Sequence, residues 1–222
     1  MGRMLMLDFY PKTTNEMVFT NTHTHQLVSS IVNRSISFPS NGKNTLLLFG
    51  VYGSGKTTYA SIFFNEYEKA FGGEEAYVNR VVADSNQKIT TIIEHIDNIA
   101  LYISPNKSDK HYFLFDEVDG FSIEQQKRLK SWLNRDDVVC VMTTNYLHKI
   151  DKGLLSRSYQ LEFNKAEEVS QYVARFKEII QQNNLPMLDD DTLNYIATSQ
   201  NGDWREMCAL LQQACAFVKD AL

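Results

Sequence analysis

The chain has 222 residues, longer than one average domain and shorter than two, so we expect a main domain with a small second one. Its 43% hydrophobic residues are ample for a buried core and exclude a disordered or low-complexity chain. The formal net charge of −5 excludes a globally basic nucleic-acid-binding protein, although a local basic groove is compatible with it.

Signals for membrane insertion or secretion are not found in the sequence pattern. No apolar run approaches the ~20 residues of a membrane span, and the first residues lack the apolar core of a signal peptide. The three cysteines, Cys140, Cys208 and Cys215, include no C-x-x-C pair that would suggest a zinc site or a disulfide framework. The sequence therefore predicts a cytoplasmic protein with reduced cysteines and no membrane partner.

Five short apolar runs predict buried strands, and helix-like segments lie between them. The runs are residues 45–49, 77–82, 112–115, 138–142 and 159–163, and the helical segments are 57–71, 88–103 and 122–134. Ser122 is the expected N-cap of the last helix, with Gln125 three residues later. Strands that alternate with helices predict an α/β fold, with a parallel five-stranded sheet flanked by helices.

After Phe163 only helical patterns follow, over residues 167–184, about 190–199 and 203–222. The first of these places apolar residues on one face, namely Val169, Tyr172, Val173, Phe176, Ile179 and Ile180. We expect a domain boundary near residues 163–165, with an α/β domain at 1–163 and an all-helical domain at 164–222. The helical domain is small for independent folding and should dock on the sheet domain.

A phosphate-binding loop is predicted at residues 50–57, between a strand and a helix, where the pattern G-x-x-x-x-G-K-S/T occurs. Glycines let successive N–H groups turn inward around phosphates, and the helix N-terminus adds partial positive charge. An ordinary Gly/Ser turn is the alternative, but the strand–loop–helix context favours nucleotide binding. The predicted ATP-binding residues are Gly50, Val51, Tyr52, Gly53, Ser54, Gly55, Lys56, Thr57 and Thr58, with Thr57 also offering its hydroxyl to Mg²⁺.

Two carboxylates, Asp116 and Glu117, end an apolar strand that should lie beside the strand of the phosphate loop. Ligands bind at the carboxyl edge of such sheets. There Asp116 is the candidate for an outer-sphere Mg²⁺ contact, and Glu117 for orienting and deprotonating a water molecule. Acids at strand ends also serve as ordinary helix caps. The upstream phosphate loop favours the catalytic interpretation, and the acidic pair predicts hydrolysis rather than transfer to a substrate hydroxyl.

Three further polar residues are candidates for the same site. Asn145 follows the next strand and could position the water from the side opposite Glu117, although turn residues are also common there. Arg157 lies just before the last strand, and Arg205 begins the last helix. An arginine can neutralise charge that develops on a γ-phosphate, whereas most arginines are solvated surface residues.

The order of these motifs resembles that of AAA+ ATPases, and more narrowly that of a sliding-clamp loader small subunit. Residues 9–18, Phe-Tyr-Pro-Lys-Thr-Thr-Asn-Glu-Met-Val, resemble the Y-R-P-K-T-x-x-E-V box of replication factor C-type subunits, which packs around the adenine. The resemblance implies that Tyr10, Pro11 and Val18 contact the nucleotide. The phosphate loop matches Walker A, and Phe-Asp-Glu-Val-Asp at residues 115–119 matches Walker B.

The remaining motifs follow in the family's order. Thr144-Asn145 resembles sensor 1, Ser156-Arg157-Ser158 stands where the family has its Ser-Arg-Cys arginine finger, and Gly202-Asp203-Trp204-Arg205 resembles sensor 2. The resemblance implies a P-loop AAA+ domain followed by a helical lid, with ATP and Mg²⁺ between them. It implies the catalytic residues Lys56, Glu117, Asn145, Arg157 acting in trans, and Arg205.

The resemblance also implies partners. AAA+ subunits, identical or homologous, would form a ring or spiral that holds a sliding clamp and encloses primer–template DNA. The family's central channel contacts the DNA backbone with the N-termini of helices, which here implicates Ser85, Asn86, Lys88 and Thr90. Helix N-termini with hydroxyls suit phosphate contacts without base readout; ordinary capping is the alternative.

Several positions depart from the family pattern. Ser158 replaces a cysteine, Val51 and Tyr52 replace two prolines, and Glu206 stands where a second arginine is common. The sequence ends at Leu222, where clamp-loader subunits normally continue into a helical collar. The resemblance therefore implies a truncated or minimal version without the collar, or assembly through the ATPase interfaces alone.

Two other functions are compatible with the motifs. A helicase loader or transposition-type regulator is also an AAA+ ATPase, and the acidic charge and the missing collar favour it. A structural subunit that binds nucleotide without hydrolysing it is the third possibility. The presence of Lys56, Asp116 and Glu117 argues against a scaffold, because a scaffold does not need the full catalytic set.

Overall fold

The computed structural model of the chain describes residues 9–84 and 86–220. Its centre is one sheet formed by β1 (Thr45–Gly50), β2 (Val78–Val82), β3 (His111–Asp116), β4 (Val138–Thr144) and β5 (Ser158–Phe163). The spatial order is β2-β3-β4-β1-β5, and every neighbouring pair is parallel. The predicted five-stranded parallel sheet is confirmed.

The α-helices of the described residues are α1 (Thr22–Val32), α2 (Lys56–Lys69), α3 (Ile89–Ala100), α4 (Ile123–Trp132), α5 (Lys152–Ser156), α6 (Val169–Gln182), α7 (Asp190–Ser199) and α8 (Trp204–Asp220). The capping box of α4 is present, with the Ser122 N–H donating to Gln125 Oε1 at 2.7 Å. The sequence pattern did not predict α1 or α5. Asn21 caps α1 by accepting from the Thr24 N–H at 2.9 Å, and α5 has only five residues.

The sheet is covered on both faces because successive strand residues point to opposite sides. Leu46 and Leu48 pack with α1 and α2, whereas Leu47 faces the layer of α3 and α4. The central strands β3 and β4 are buried along their whole length. Such near-continuous burial is expected of parallel strands with helices on both faces.

Helices α6, α7 and α8 form a third apolar cluster, which we call the lid. Tyr172, Phe176, Ile179 and Ile180 of the predicted face are buried, and Val169 and Val173 are partly buried. The chain enters the lid through residues 164–168, immediately after β5. The predicted boundary at residues 163–165 falls at the start of this connection.

Residues 9–18, which we call the N-terminal segment, contact both parts of the molecule. Phe9 and Val18 pack against the lid cluster, and Met17 packs against the cluster that contains α2. The Thr14 N–H donates to Glu66 Oε1 on α2 at 2.8 Å. Among the described helices, none is long and apolar enough to cross a membrane.

Candidate nucleotide site

A cavity of about 470 Å³ opens at the carboxyl edge of the sheet. Its walls come from the N-terminal segment, from residues 52–58 in the β1–α2 loop and the first turn of α2, and from α6 and α8 of the lid. Its volume is in the usual range for sites that bind small molecules and cofactors. The carboxyl edge of a parallel α/β sheet is where such ligands bind.

The loop between β1 and α2 turns tightly around one end of this cavity. Gly53 and Gly55 have φ values of 68° and 88°, which favour glycine. A Cβ atom at Gly53 would lie 1.9 Å from Oδ1 of Asp203, so the lid packs directly on the loop. Because α2 begins at Lys56, the positive end of its dipole lies at the cavity, as anion binding requires.

Lys56 folds back onto the loop. Its ammonium group donates to the carbonyl oxygens of Val51 at 2.6 Å and Gly50 at 3.2 Å. Burial lowers the pKa of Lys56 to about 8, and the charge of Asp116 partly offsets this effect. The side chain therefore presents a poorly hydrated cation to the cavity, which suits a polyphosphate.

The hydroxyl groups of two threonines lie next to the Asp116 carboxylate at the end of β3. Its Oδ1 accepts from the hydroxyls of Thr57 at 3.0 Å and Thr143 at 2.5 Å, and Arg80 forms an ion pair with Oδ2 at 2.5 Å. Hydroxyl and carboxylate oxygens are the donors that Mg²⁺ prefers. The predicted metal residues Thr57 and Asp116 are thus in direct contact, and their donor types fit Mg²⁺.

Glu117 and Asn145 both line the cavity beside this cluster. Glu117 is exposed and has a φ of 57°, a conformation that is costly for a residue with a Cβ atom and is often found at functional sites. Its N–H donates to the Thr143 hydroxyl at 2.9 Å. Oδ1 of Asn145 is buried and has no hydrogen-bond partner in the described residues, so it is available to a bound molecule.

Arg205 lines the cavity from the first turn of α8, and its side chain is exposed. Asp203 immediately precedes this helix and accepts from the N–H groups of Arg205 at 3.0 Å and Glu206 at 3.2 Å. The ring of Trp204 stacks on Phe176, with the ring centroids 5.5 Å apart. These contacts hold the beginning of α8 at the cavity.

Most of the other residues predicted to contact the nucleotide line the cavity, although Gly50 and Val51 are not part of its wall. Tyr10, Pro11 and Val18 all line the cavity, as do Ser54 and Thr58. The ring of Tyr52 is also at the wall, and its hydroxyl donates to that of Tyr146 at 2.7 Å.

Arg157 is not brought to the cavity. It follows α5 and precedes Ser158, which pairs with Thr45 at the amino edge of the sheet. The length of β5, about 17 Å, separates that edge from the phosphate loop. In the described part of the chain, the Arg157 side chain forms no hydrogen bond or ion pair.

The predicted DNA contacts lie elsewhere, around the beginning of α3. Asn86, Lys88 and Thr90 are exposed, and Lys88 makes no side-chain capping hydrogen bond to the helix. Ser85 lies outside the described residues. Lys88 lines an open groove together with Arg80 and His95.

The structure adds three residues that the sequence analysis did not select. Thr143 and Arg80 hold Asp116, and Asn164 accepts from the Val51 N–H of the phosphate loop at 3.1 Å. Arg80 could have been noticed as a lone arginine in an apolar strand, and Thr143 as a hydroxyl beside sensor 1. For Asn164 the sequence holds no local signal.

Comparison with known proteins agrees with this geometry. A family model described as "ATPase family associated with various cellular activities (AAA)" matches residues 46–165, more than half of the chain. The chain belongs to the AAA family of ATPases. Membership of the AAA family supports nucleotide binding and ATPase activity for the domain that contains the cavity.

Individual relatives of this AAA chain are distant. It is 25% identical to DNA polymerase III subunit tau of Bacillus subtilis over 96% of its own length, and it spans 40% of that protein. A RuvB structure from Thermotoga maritima superposes with a TM-score of 0.67 at 18% identity, over 92% of this chain and 64% of RuvB. PCH-2 of C. elegans gives a TM-score of 0.56 at 13% identity, covering 92% of this chain and 71% of PCH-2. These structural similarities show that the AAA fold is shared.

Proposed function

We propose that the chain is an ATP-hydrolysing AAA+ subunit that acts in an oligomer and loads a sliding clamp onto primer–template DNA. The observation that carries the enzymatic part is the convergence of Lys56, Thr57, Asp116, Glu117 and Asn145 on one cavity. Similarity to a tau subunit of DNA polymerase III along almost the whole chain supports the replication role. The N-terminal segment supports it too, because it lines the cavity as the clamp-loader box would.

The residues of the cavity divide the chemistry among them. The phosphate loop and Lys56 bind the phosphates, and Thr57 and Asp116 would hold Mg²⁺, which would neutralise phosphate charge. Glu117 takes the proton of the attacking water, whose oxygen bonds to the γ-phosphorus as the bond to the bridging oxygen of ADP breaks. Asn145 positions this water, and Arg205 contacts the phosphates from the lid.

Arg157 completes the site of a neighbouring subunit. Its position at the amino edge of the sheet puts it out of reach of its own cavity. Its guanidinium has no partner among the described residues and can approach another subunit's γ-phosphate, which makes hydrolysis dependent on assembly. A ring or spiral of AAA+ subunits, identical or homologous, is the arrangement that satisfies every site in this way.

The DNA and domain assignments belong to the same proposal. Asn86, Lys88 and Thr90 would contact the phosphate backbone around the beginning of α3. Because the chain is acidic overall, these contacts would be weak for one subunit and would add up over an oligomer, with strong salt dependence. The α/β domain would extend to residue 163, with the lid from residue 164.

The titration of Lys56 gives a test of the phosphate site. We expect the affinity for MgATP to be constant near neutral pH and to fall by up to about tenfold per pH unit above pH 8. The physical reason is that the empty site loses its proton above its pKa of about 8, whereas the bound phosphates favour the charged form. Calorimetric titrations with MgATP from pH 7 to 9.5 measure this change in affinity. A Lys56→Arg variant stays protonated, so its affinity for MgATP should not change over this pH range. An equal fall in affinity with pH in both proteins would contradict the role of Lys56 in binding the phosphates.

Isolation of the native complex tests the biological role. A tag on this chain, in the presence of a slowly hydrolysed ATP analogue, would recover its assembly for native mass measurement and identification of the partners. We expect several copies of this or related AAA+ subunits together with a ring-forming clamp. Recovery of a homo-oligomer with a helicase or a recombinase would support the loader or transposition alternative instead.

A further inference from the structure

A buried arginine in the lid contacts the N-terminal segment. Arg175 lies on α6 with only 5% of its side chain exposed. Its Nη2 atom is 3.1 Å from Oε2 of Glu16, and its Nη1 atom is 3.0 Å from Oε2 of Glu178. Nε of Arg175 has no hydrogen-bond partner within the described ranges. The guanidinium therefore depends on these two carboxylates for its charge compensation.

Glu16 is the partner that connects this arginine to the cavity. Its Oε2 atom also accepts from the Lys12 N–H at 3.0 Å, so it closes the turn of the N-terminal segment. Glu16 lines the cavity itself, whereas Arg175 does not. On the lid side, Tyr172 lines the cavity one helical turn before Arg175. The ion pair thus joins two walls of the same cavity.

The burial of Arg175 makes the two walls dependent on each other. A buried charge that loses its partner is strongly destabilising, because the desolvation of the remaining charge is no longer compensated. If the lid moved away from the N-terminal segment, Arg175 would keep Glu178 as its one ion-pair partner among the described residues, and that side chain is 55% exposed. The contact between Glu16 and Arg175 therefore stabilises the docking of the segment against the lid in this position.

Glu16 and Arg175 belong to the N-terminal segment and to the lid, which also supply apolar residues of the cavity wall. These residues are Phe9, Val18, Tyr172 and Cys208, and they suit a base and not a phosphate. Burial raises the pKa of Cys208 to about 12, and the nearby charge of Arg175 opposes this rise. The phosphates would be bound by other residues, Lys56 and the phosphate loop.

We propose that Arg175 is a positioning residue that couples the N-terminal segment to the lid and thereby determines recognition of the nucleotide base. This inference rests on the proposed binding of an adenine nucleotide in the cavity. Arg175 acts through Glu16, and without it the segment no longer presents its apolar wall to the base. Binding of the phosphates is independent of the pair.

Comparison of two ligands tests whether the ion pair affects recognition of the base without affecting binding of the phosphates. Calorimetry would give the affinities for ATP and for inorganic tripolyphosphate, both with Mg²⁺, in the wild-type chain and in Arg175→Met. We expect the ATP affinity to fall by about tenfold, the size of a typical coupling between contacting residues, and the tripolyphosphate affinity to stay within about twofold. Arg175→Lys keeps the charge and should give an intermediate loss. Glu178→Gln removes the other carboxylate and should leave both affinities unchanged.

Each result has a defined meaning. If wild-type protein binds ATP no more tightly than tripolyphosphate, or binds neither, the proposed adenine site itself is wrong. If wild type prefers ATP and Arg175→Met keeps the same preference, or loses both ligands equally, only the positioning role is overturned. Thermal unfolding would show whether Arg175→Met is folded. If Arg175→Met does not fold, the same two affinities would be measured in Glu16→Gln, which changes the more exposed partner of the pair. We expect the ATP affinity of this variant to fall by about threefold and the tripolyphosphate affinity to stay the same.

Discussion

Replacement of Arg157 by alanine should lower the ATP turnover of the assembled protein by about 10³-fold. The ATP affinity of the isolated chain should stay within about twofold, because Arg157 lies at the edge of the sheet opposite its own cavity. In the proposed role, the guanidinium would neutralise charge that develops on a neighbour's γ-phosphate during bond cleavage. Its loss should therefore affect the transition state far more than nucleotide binding.

Steady-state turnover of the assembled complex and calorimetry of the single chain measure these two quantities. Lys152→Ala is the matched control, since it removes an exposed cation from α5, the short helix that Arg157 follows. Mixing Arg157→Ala chains with Glu117→Gln chains adds a direct test in homo-oligomers. A site with an intact Glu117 then receives an intact Arg157 from its neighbour, so some activity should return. Wild-type turnover for Arg157→Ala in the complex would contradict the role in trans.

Replacement of Glu117 by glutamine should lower turnover by about 10²–10³-fold and leave ATP binding intact. An amide cannot take the proton of the attacking water, but it occupies the same space as the carboxylate. Glu117 is exposed, and the hydrogen bond that holds its position comes from its backbone N–H to Thr143. The substitution should therefore leave the surrounding structure unchanged.

Single-turnover hydrolysis by the assembled complex, with ATP binding measured separately, tests this prediction. Glu124→Gln provides the control, because it makes the same chemical change at an exposed position on α4. Unchanged assembly and biological function in Glu117→Gln would favour the structural subunit that binds nucleotide without turnover. Loss of ATP binding would mean that Glu117 supports the site rather than the chemistry.

Local patterns in the sequence predicted much of this protein. Each strand was predicted to within about two residues of its observed limits, since buried parallel strands are short continuous apolar runs. The capping box at Ser122 and Gln125 was visible because its two residues are neighbours in sequence. By contrast, the sequence pattern did not predict α1, because its Thr, His and Ser residues leave few apolar residues to mark a helical face. It did not predict α5 either, because that helix is too short to show periodicity.

The sequence alone thus determined the sheet, the order of the motifs, and the residues at the strand ends and the phosphate loop, all of which depend on near neighbours. Only the tertiary structure decided which side chains meet. The strand order placed β3 between β2 and β4, and so brought Arg80 and Thr143 to Asp116. Docking of the lid brought Arg175 to Glu16, 159 residues away. The physical reason is that these contacts form only when distant elements pack together, and packing depends on the whole core rather than on any one segment.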